Sequence, residues 1–511
     1  MSNPVSASSG VPKRDTTSKV REPITVAAMQ HRFAEDAQML QQQAFVRPSH
    51  QQVMKDLLGL IVKVNFETKA ELDPTNEKDT LKTRHYLIIV IEELLNLAAK
   101  NKWGLCRRYS VFYTFNGACW KVIETDDLRA FLRKAAENMG VKRFTAQYVG
   151  FSKQLFEQFT ETAYLAAPTP DNDTVKINLA NGTFEISPQC QKLRDPDSAD
   201  FLTHQLPFAY DPTAIAPVFQ EFLDKVLPDK ACQSILAEYL GYVFVPTAKL
   251  KLEKILLLHG VGANGKSVIF EIVTALLGKE NISHYSLRSL TVEPAYCRAH
   301  LGNKLLNYTS EIRGTLETDT FKQLASGEPI EARLPHGQPF ILENYAKLIF
   351  NGNELPTDVE QTHAFFRRFL IIPFTVTIPE ADQDKQLAAK IIASELSGVF
   401  NWVLKGLQRL LQQGGFTLAE AVNKQLDQYK QQSDSVRLFL ADNEYVASTS
   451  ADDYVLLKEF YRDYRTYCFE DGLHPVKKQN FHKRLENIGC RTDRKNIGNV
   501  VFVCKSPPFT A

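Results

Sequence analysis

The residues with the clearest chemistry lie between 255 and 278, where "ILLLHGVGANGKSVIFEIVTALLG" runs an apolar strand into a glycine-rich turn and then an amphipathic helix. The spacing G-x-x-x-x-G-K-S, from Gly260 to Ser267, is that of a phosphate-binding loop. Glycines let backbone N–H groups close round an anion, and the following helix turns its positive end toward it. Gly260, Val261, Gly262, Ala263, Asn264, Gly265, Lys266, Ser267 and Val268 are therefore read as holding the nucleotide. Lys266 is expected to reach the β- and γ-phosphates, and the Ser267 hydroxyl to sit on magnesium.

A phosphate loop needs partners. "KLLNYTSEI" (304–312) ends an apolar run in Glu311, which reads as the carboxylate that orients magnesium or polarises water. "AKLIFNGNELP" (346–356) reads as a third buried strand ending in Asn351 and Asn353, amides suited to hold the attacking water or the γ-phosphate. "FFRRFLIIPF" (365–374) sets Arg367 and Arg368 in an apolar frame. An arginine offered to a neighbour's nucleotide is worth about 10³–10⁵ in rate. A GTPase would need N-K-x-D after the loop; "NKLL" (303–306) and "NKQLD" (423–427) do not supply it.

The elements around these residues follow from composition. The 511 residues carry a net charge of +1, so any basic surface for nucleic acid must be local. Eight scattered cysteines without a C-x-x-C pair argue against a zinc site or disulfide frame and for a reducing, cytoplasmic setting. No apolar run of about 18 residues points to a membrane span. Residues 1–46 are Ser-, Thr- and Gln-rich and read as a disordered tail. Residues 47–104 read as a helical region, with 84–100 as its buried helix. "VKINLANGTFEI" (175–186) reads as a hairpin turning at Asn181-Gly182. Helices are expected over 213–245 and again through 393–415, where Gly414-Gly415 stops the chain.

Together these segments resemble the superfamily 3 helicases, AAA+ motors of viruses and mobile elements, and among them the satellite-phage and poxvirus type of primase–helicase. The resemblance rests on "GVGANGKS", on "FKQLASGEPIEARLPHGQPFILENYAKLIFNGNELP" (321–356), on "LPFAYDP" and "LAEYLGYVFVP" upstream, and on "ELSGVFNWVLKGLQRL" downstream, over roughly 105–415. It implies an α/β fold with an AAA+ core at 246–376, a mixed α+β domain at 105–245 and a helical segment at 377–430. It also implies Glu311 as the Walker B acid and second magnesium group, Asn353 as sensor, and Arg367 or Arg368 as finger, with Arg368 preferred. A channel hairpin would grip single-stranded DNA near its tip, "RLPHGQ" (333–338), through Arg333 and His336. Two positions depart from the family pattern: Ser310 stands where an acid often precedes Glu311, and Glu328 replaces a usual Asp.

Residues 431–511 read helix, helix, hairpin, the order of a winged-helix module. Between His474 and Lys505 eight Lys/Arg face two acids, about +6. Lys477, Lys478, Lys483, Arg484, Arg491, Arg494 and Lys495 are the candidate DNA contacts. Residues 1–104 hold no paired acids on a strand and are too short for a polymerase core, so no primase domain is expected. The expectation is an ATP- and magnesium-dependent DNA helicase, a homo-hexameric ring on single-stranded and forked DNA, working with a separate primase or replication initiator. An ATP-switched origin-binding or loading protein, and an active primase–helicase, stay open as alternatives.

Overall fold

The computed structural model describes residues 47–505, less 74, 77, 109–110, 166–173, 294, 311, 313–315, 336 and 357–358. The expected tail, Glu311 and His336 thus lie outside the described residues. Mixed α/β architecture holds throughout the rest, with antiparallel sheets before and after a parallel one.

The first region gathers helices around one core. Ser49 caps the helix His50–Leu60 by accepting from the Gln52 N–H at 3.1 Å. The helix Thr83–Lys100 buries Leu87, Val90, Ile91 and Leu94, as its apolar run predicts. These residues meet Leu132, Leu155 and Phe159 from the helices Thr125–Met139 and Val149–Thr162 in one cluster. A three-stranded antiparallel sheet (104–108, 111–115, 120–123) completes it.

Next comes the antiparallel sheet Val175–Leu179, Gly182–Ile186, Gln191–Arg194. The hairpin forms, but its turn is Ala180-Asn181, one residue earlier than predicted; Gly182 already pairs with Leu179. Tertiary contact decides this. The Asn181 amide donates to Tyr210 O and accepts from Tyr210 N, both at 2.9 Å, so its side chain docks the following segment.

Five parallel strands form the central sheet: β1 (Ile255–His259), β2 (Ile282–Ser283), β3 (Leu306–Thr309), β4 (Lys347–Gly352) and β5 (Phe369–Pro373), in the order β5-β1-β4-β3-β2. Alternate residues feed two cores. Leu256, Leu258, Ile349 and Ile372 face one, and Leu257, Phe350, Phe369 and Ile371 the other. Burial on both faces is what a parallel sheet requires.

Helices from either side of the parallel-sheet segment in sequence lock together behind it. Lys230–Tyr242 crosses Leu396–Gln413 at glycines. A Cβ on Gly406 would lie 2.5 Å from Ala237 C, and one on Gly241 would lie 2.6 Å from Leu407 Cβ. The fully buried Glu238 accepts from the Thr417 N–H at 2.8 Å and from Arg409 Nε and Thr417 Oγ1, both at 2.5 Å. The predicted helix through 393–415 is broken at Glu395, between Leu387–Ser394 and Leu396–Gln413, and the segment Glu380–Ser394 meets the second helix at an 80° bend. The Glu395 carboxylate accepts instead from the N–H groups of Val218 (3.0 Å) and Phe219 (2.9 Å), capping the helix Pro217–Val226. Gly414 ends the second helix in the left-handed region, φ 67°, as the Gly-Gly pair predicts.

The C-terminal region has three helices, Ser435–Asp442, Leu457–Glu470 and Lys478–Ile488, and then the hairpin 492–495/498–501. The first of these helices is an addition to the expected order, because its eight residues make only about two turns, too short to show a helical period. No helix among the described residues is long and apolar enough to cross a membrane.

Glu238 generates a prediction. Glu238→Ala strands the Arg409 guanidinium and the Thr417 N–H and hydroxyl, so unfolding should need about 3–5 kcal/mol less. Urea unfolding followed by fluorescence, compared with exposed Glu420→Ala as control, measures it.

Candidate functional site

Parallel pairing puts the carboxyl ends of β1, β3, β4 and β5 on one edge. His259 stands opposite both Gly352 and Pro373, and Phe350 opposite Thr309. The residues that follow each strand therefore meet in one crevice, where open α/β sheets bind ligands. The crevice is a cleft of about 590 Å³. The loop residues Gly262 to Val268 line one side of it, and Ser310, Asn351 and Asn353 another.

The loop is held by its own side chains and backbone. Ala263 (φ 59°) and Gly265 (φ 84°) turn the chain left-handed. Gly260 N donates to Gly352 O at 3.1 Å, and Ile378 N to Ala263 O at 2.7 Å. Asn264 braces the rest: its amide donates to Val261 O at 2.5 Å and to Phe374 O at 3.2 Å. It also accepts from Lys266 Nζ at 2.9 Å, while Lys266 gives a second bond to Gly260 O at 2.6 Å. An ammonium has three donors, which leaves one for a phosphate. Burial pulls the Lys266 pKa below its ordinary value, and burial, then Lys266 itself, does the same to His259 at the end of β1. Ser267 opens the helix Lys266–Leu277 and faces the cleft.

Ser310 carries the end of β3 to the cleft, with Glu311 next in the chain. Asn353 lines the cleft, and Asn351 is the more fixed amide. It is buried, and its Oδ1 accepts from the Tyr308 hydroxyl at 3.0 Å, which commits its NH₂ group to other partners. The apolar walls were missed by sequence reasoning: Val218 and Phe222 on one side, Ile378, Leu387 and Ala388 on the other. They come from segments 160 residues apart that periodicity marks as apolar without naming a partner. Gly265 makes the fit possible, since a Cβ there would lie 2.8 Å from Val226 Cγ1 and 2.9 Å from Phe222.

The two arginines sit at the other edge. They precede β5, and Arg368 O accepts from Ile255 N at the start of β1. At about 3.3 Å per residue the strand separates them from the loop by some 16 Å or more. Arg368 is the finger preferred from the sequence. It is buried, and its guanidinium donates to Ser326 Oγ (3.0 Å), Lys322 O (3.3 Å) and Ala364 O, all within the same chain. Arg367 is half exposed and pairs with Glu253 at 2.7 Å.

A hairpin projects between 330 and 342, with Ile330 opposite Leu342. Arg333 is exposed at its tip, its Nε bonded to Gly337 O at 3.0 Å. Glu328 pairs with Lys251 at 3.4 Å. In the C-terminal region Lys477, Lys478, Lys483 and Arg494 are exposed. Arg484 is not available as predicted: it pairs at 3.0 Å with Asp434, the cap of the helix Ser435–Asp442. Arg491 stacks at 4.1 Å on Phe502, and Lys495 lies 3.6 Å over the ring of Tyr454.

Comparison with known proteins gives two partial family matches and one set of structures. Residues 90–228 match a family described as D5 N terminal like, and residues 258–368 match DUF5906, a family of unknown function. No curated protein matches the chain. Apo structures of the NrS-1 C-terminal region are 11% identical. One has a TM-score of 0.45 over 82% of this chain and 99% of that one, and another 0.43 over 84% and 100%.

Asn264 supplies the test of the site. Asn264→Ala removes the brace between loop, Lys266 and Phe374, so nucleoside triphosphate affinity should fall about ten-fold, the equivalent of one to two hydrogen bonds. Titration with a fluorescent nucleotide analogue, beside a thermal melt that stays near wild type, reads this out.

Proposed function

We propose that the chain is an ATP-driven DNA motor of the helicase class, assembled as a ring and acting in DNA replication. The observation that carries the reading is the division of the central sheet. Phosphate-binding groups collect at the carboxyl edge, and Arg367 stands at the amino edge, out of reach of its own cleft and half exposed toward solvent. Such an arginine serves a nucleotide only when a second subunit brings its own cleft to it.

On this reading the base lies between Val218 and Phe222 on one wall and Ile378 and Leu387 on the other. The loop N–H groups and Lys266 hold the phosphates. Magnesium, when bound, neutralises phosphate oxygens, with Ser267 and Glu311 as the groups to hold it. Asn351 and Asn353 orient a water opposite the γ-phosphorus. The water oxygen bonds to phosphorus, the bond to the bridging oxygen breaks, and the proton passes to the Glu311 carboxylate. Arg367 of the adjoining subunit balances the charge that develops. The hairpin with Arg333 at its tip contacts single-stranded DNA. The C-terminal helices and hairpin act as a winged-helix module on duplex through Lys477, Lys478, Lys483 and Arg494. The D5 N terminal-like match over residues 90–228 supports this reading.

Lys266→Ala should abolish ATP turnover with the fold intact, and Glu311→Gln should bind ATP without turning it over. Radiolabelled phosphate release beside nucleotide binding separates the two; near-wild-type turnover in Lys266→Ala would end the motor reading.

The trans arginine has its own test. Arg367→Ala alone should lose about 10³-fold in turnover. Mixed with Lys266→Ala protein it should recover activity, because some interfaces then pair an intact lysine with an intact arginine. Absence of rescue at every mixing ratio excludes the shared site.

A further inference from the structure

One groove of the C-terminal region belongs to none of these sites. It is about 710 Å³ in volume and runs along the helix Leu457–Glu470, closed on its other side by the segment 472–475. Lys458, Arg462, Arg465 and Phe469 line it at spacings of four, three and four residues, which places them in one stripe on one helix face. All four are exposed, Phe469 to 88%. Tyr461 and His474 complete the lining, and the Tyr461 hydroxyl donates to Val476 O at 2.9 Å, fixing the helix to the opposite wall.

The chemistry of the stripe selects a ligand. Arg462 touches Asp463 at 3.3 Å, whereas Lys458 and Arg465 form no ion pair within 4 Å among the described residues. Three cations in a row along a groove track a chain of phosphates, and guanidinium forks suit phosphate oxygens. The exposed phenyl ring beside them offers a face on which a flat, unpaired group can stack. In duplex DNA the bases are already stacked inside the helix; in a single strand each base has a free face. From Lys458 to Phe469 the helix rises about 16 Å, at 1.5 Å per residue, which accommodates a few nucleotides.

We infer that this groove binds single-stranded nucleic acid, with Lys458, Arg462 and Arg465 on the backbone and Phe469 stacked on a base. It lies on a different helix from Lys478 and Lys483, so one module offers two nucleic-acid surfaces, one for duplex and one for a separated strand. The source of that strand, a fork opened by the motor, rests on the function proposed above; the binding does not.

The test uses the full chain without nucleotide. Anisotropy of a labelled oligothymidine and of a blunt duplex is measured for Arg462→Ala/Arg465→Ala, for Phe469→Ala and for Lys483→Ala. The double variant should bind the single strand at least ten-fold more weakly, with a salt slope shallower by about 0.7 for each phosphate no longer neutralised. Phe469→Ala should lose about ten-fold on the single strand and little on duplex, whereas Lys483→Ala should show the opposite bias. A bromouridine-substituted strand should photo-crosslink within 457–475. Unchanged single-strand affinity together with crosslinks only elsewhere overturns the proposal, as does an equal loss on duplex and single strand, which would make the stripe part of a duplex face. A groove occupied by an acidic protein segment would give the first of these results. ATP turnover of the same variants, assayed without DNA, reports on the motor separately.

Discussion

Parallel pairing of Ile255–His259 with a neighbour on each side is the constraint from which the rest of the site follows. A strand buried on both faces can deliver its next residues only to one edge, and here four strands deliver theirs to the same one. The loop, Ser310 and the two asparagines are therefore neighbours in space although they span almost a hundred residues of chain. The order β5-β1-β4-β3-β2 adds a finer point: β4 lies between the loop strand and the strand that leads to Ser310. The Asn351 amide thus stands between the loop and Ser310, and the Tyr308 hydroxyl on β3 fixes its orientation.

The cleft's walls depend on contacts far from the phosphate loop. Glycines at 241 and 406 let two helices approach closely enough to bury Glu238, and Glu395 gives up helical continuity to cap Pro217–Val226. These contacts set Val218 and Phe222 against Leu387 and Ala388. A carboxylate capping two N–H groups contributes on the order of 1 kcal/mol, less than one well-buried side chain. Its effect here is positional: it fixes where one wall of the cleft begins.

The strand, turn and helix around the loop are legible in the sequence because an apolar run, clustered glycines and an amphipathic run follow one another. The buried strands are legible because parallel strands are apolar throughout. Three other features are not. The hairpin turn falls one residue early because Asn181 is engaged with Tyr210, a contact 29 residues away. The helix expected through 393–415 breaks because Glu395 serves a different helix. Arg367 and Arg368 are identical in type and adjacent, and only the fold distinguishes them: one side chain turns toward Ser326 in the interior, the other toward Glu253 near the surface. Spacing reports which residues share an element, while exposure depends on what packs against it.

One short element joins two of these features. At the amino end of β5 is the arginine pair, and just past its carboxyl end Phe374 O accepts from Asn264, the brace of the phosphate loop. Five residues of extended, doubly buried backbone lie between them, hydrogen-bonded along their length to β1. Extended chain hydrogen-bonded at a sheet edge has little slack, so β5 couples its two ends. In the ring proposed above, a shift of Arg367 with the adjoining subunit's nucleotide would be carried along β5 to the Phe374 carbonyl that holds the loop through Asn264.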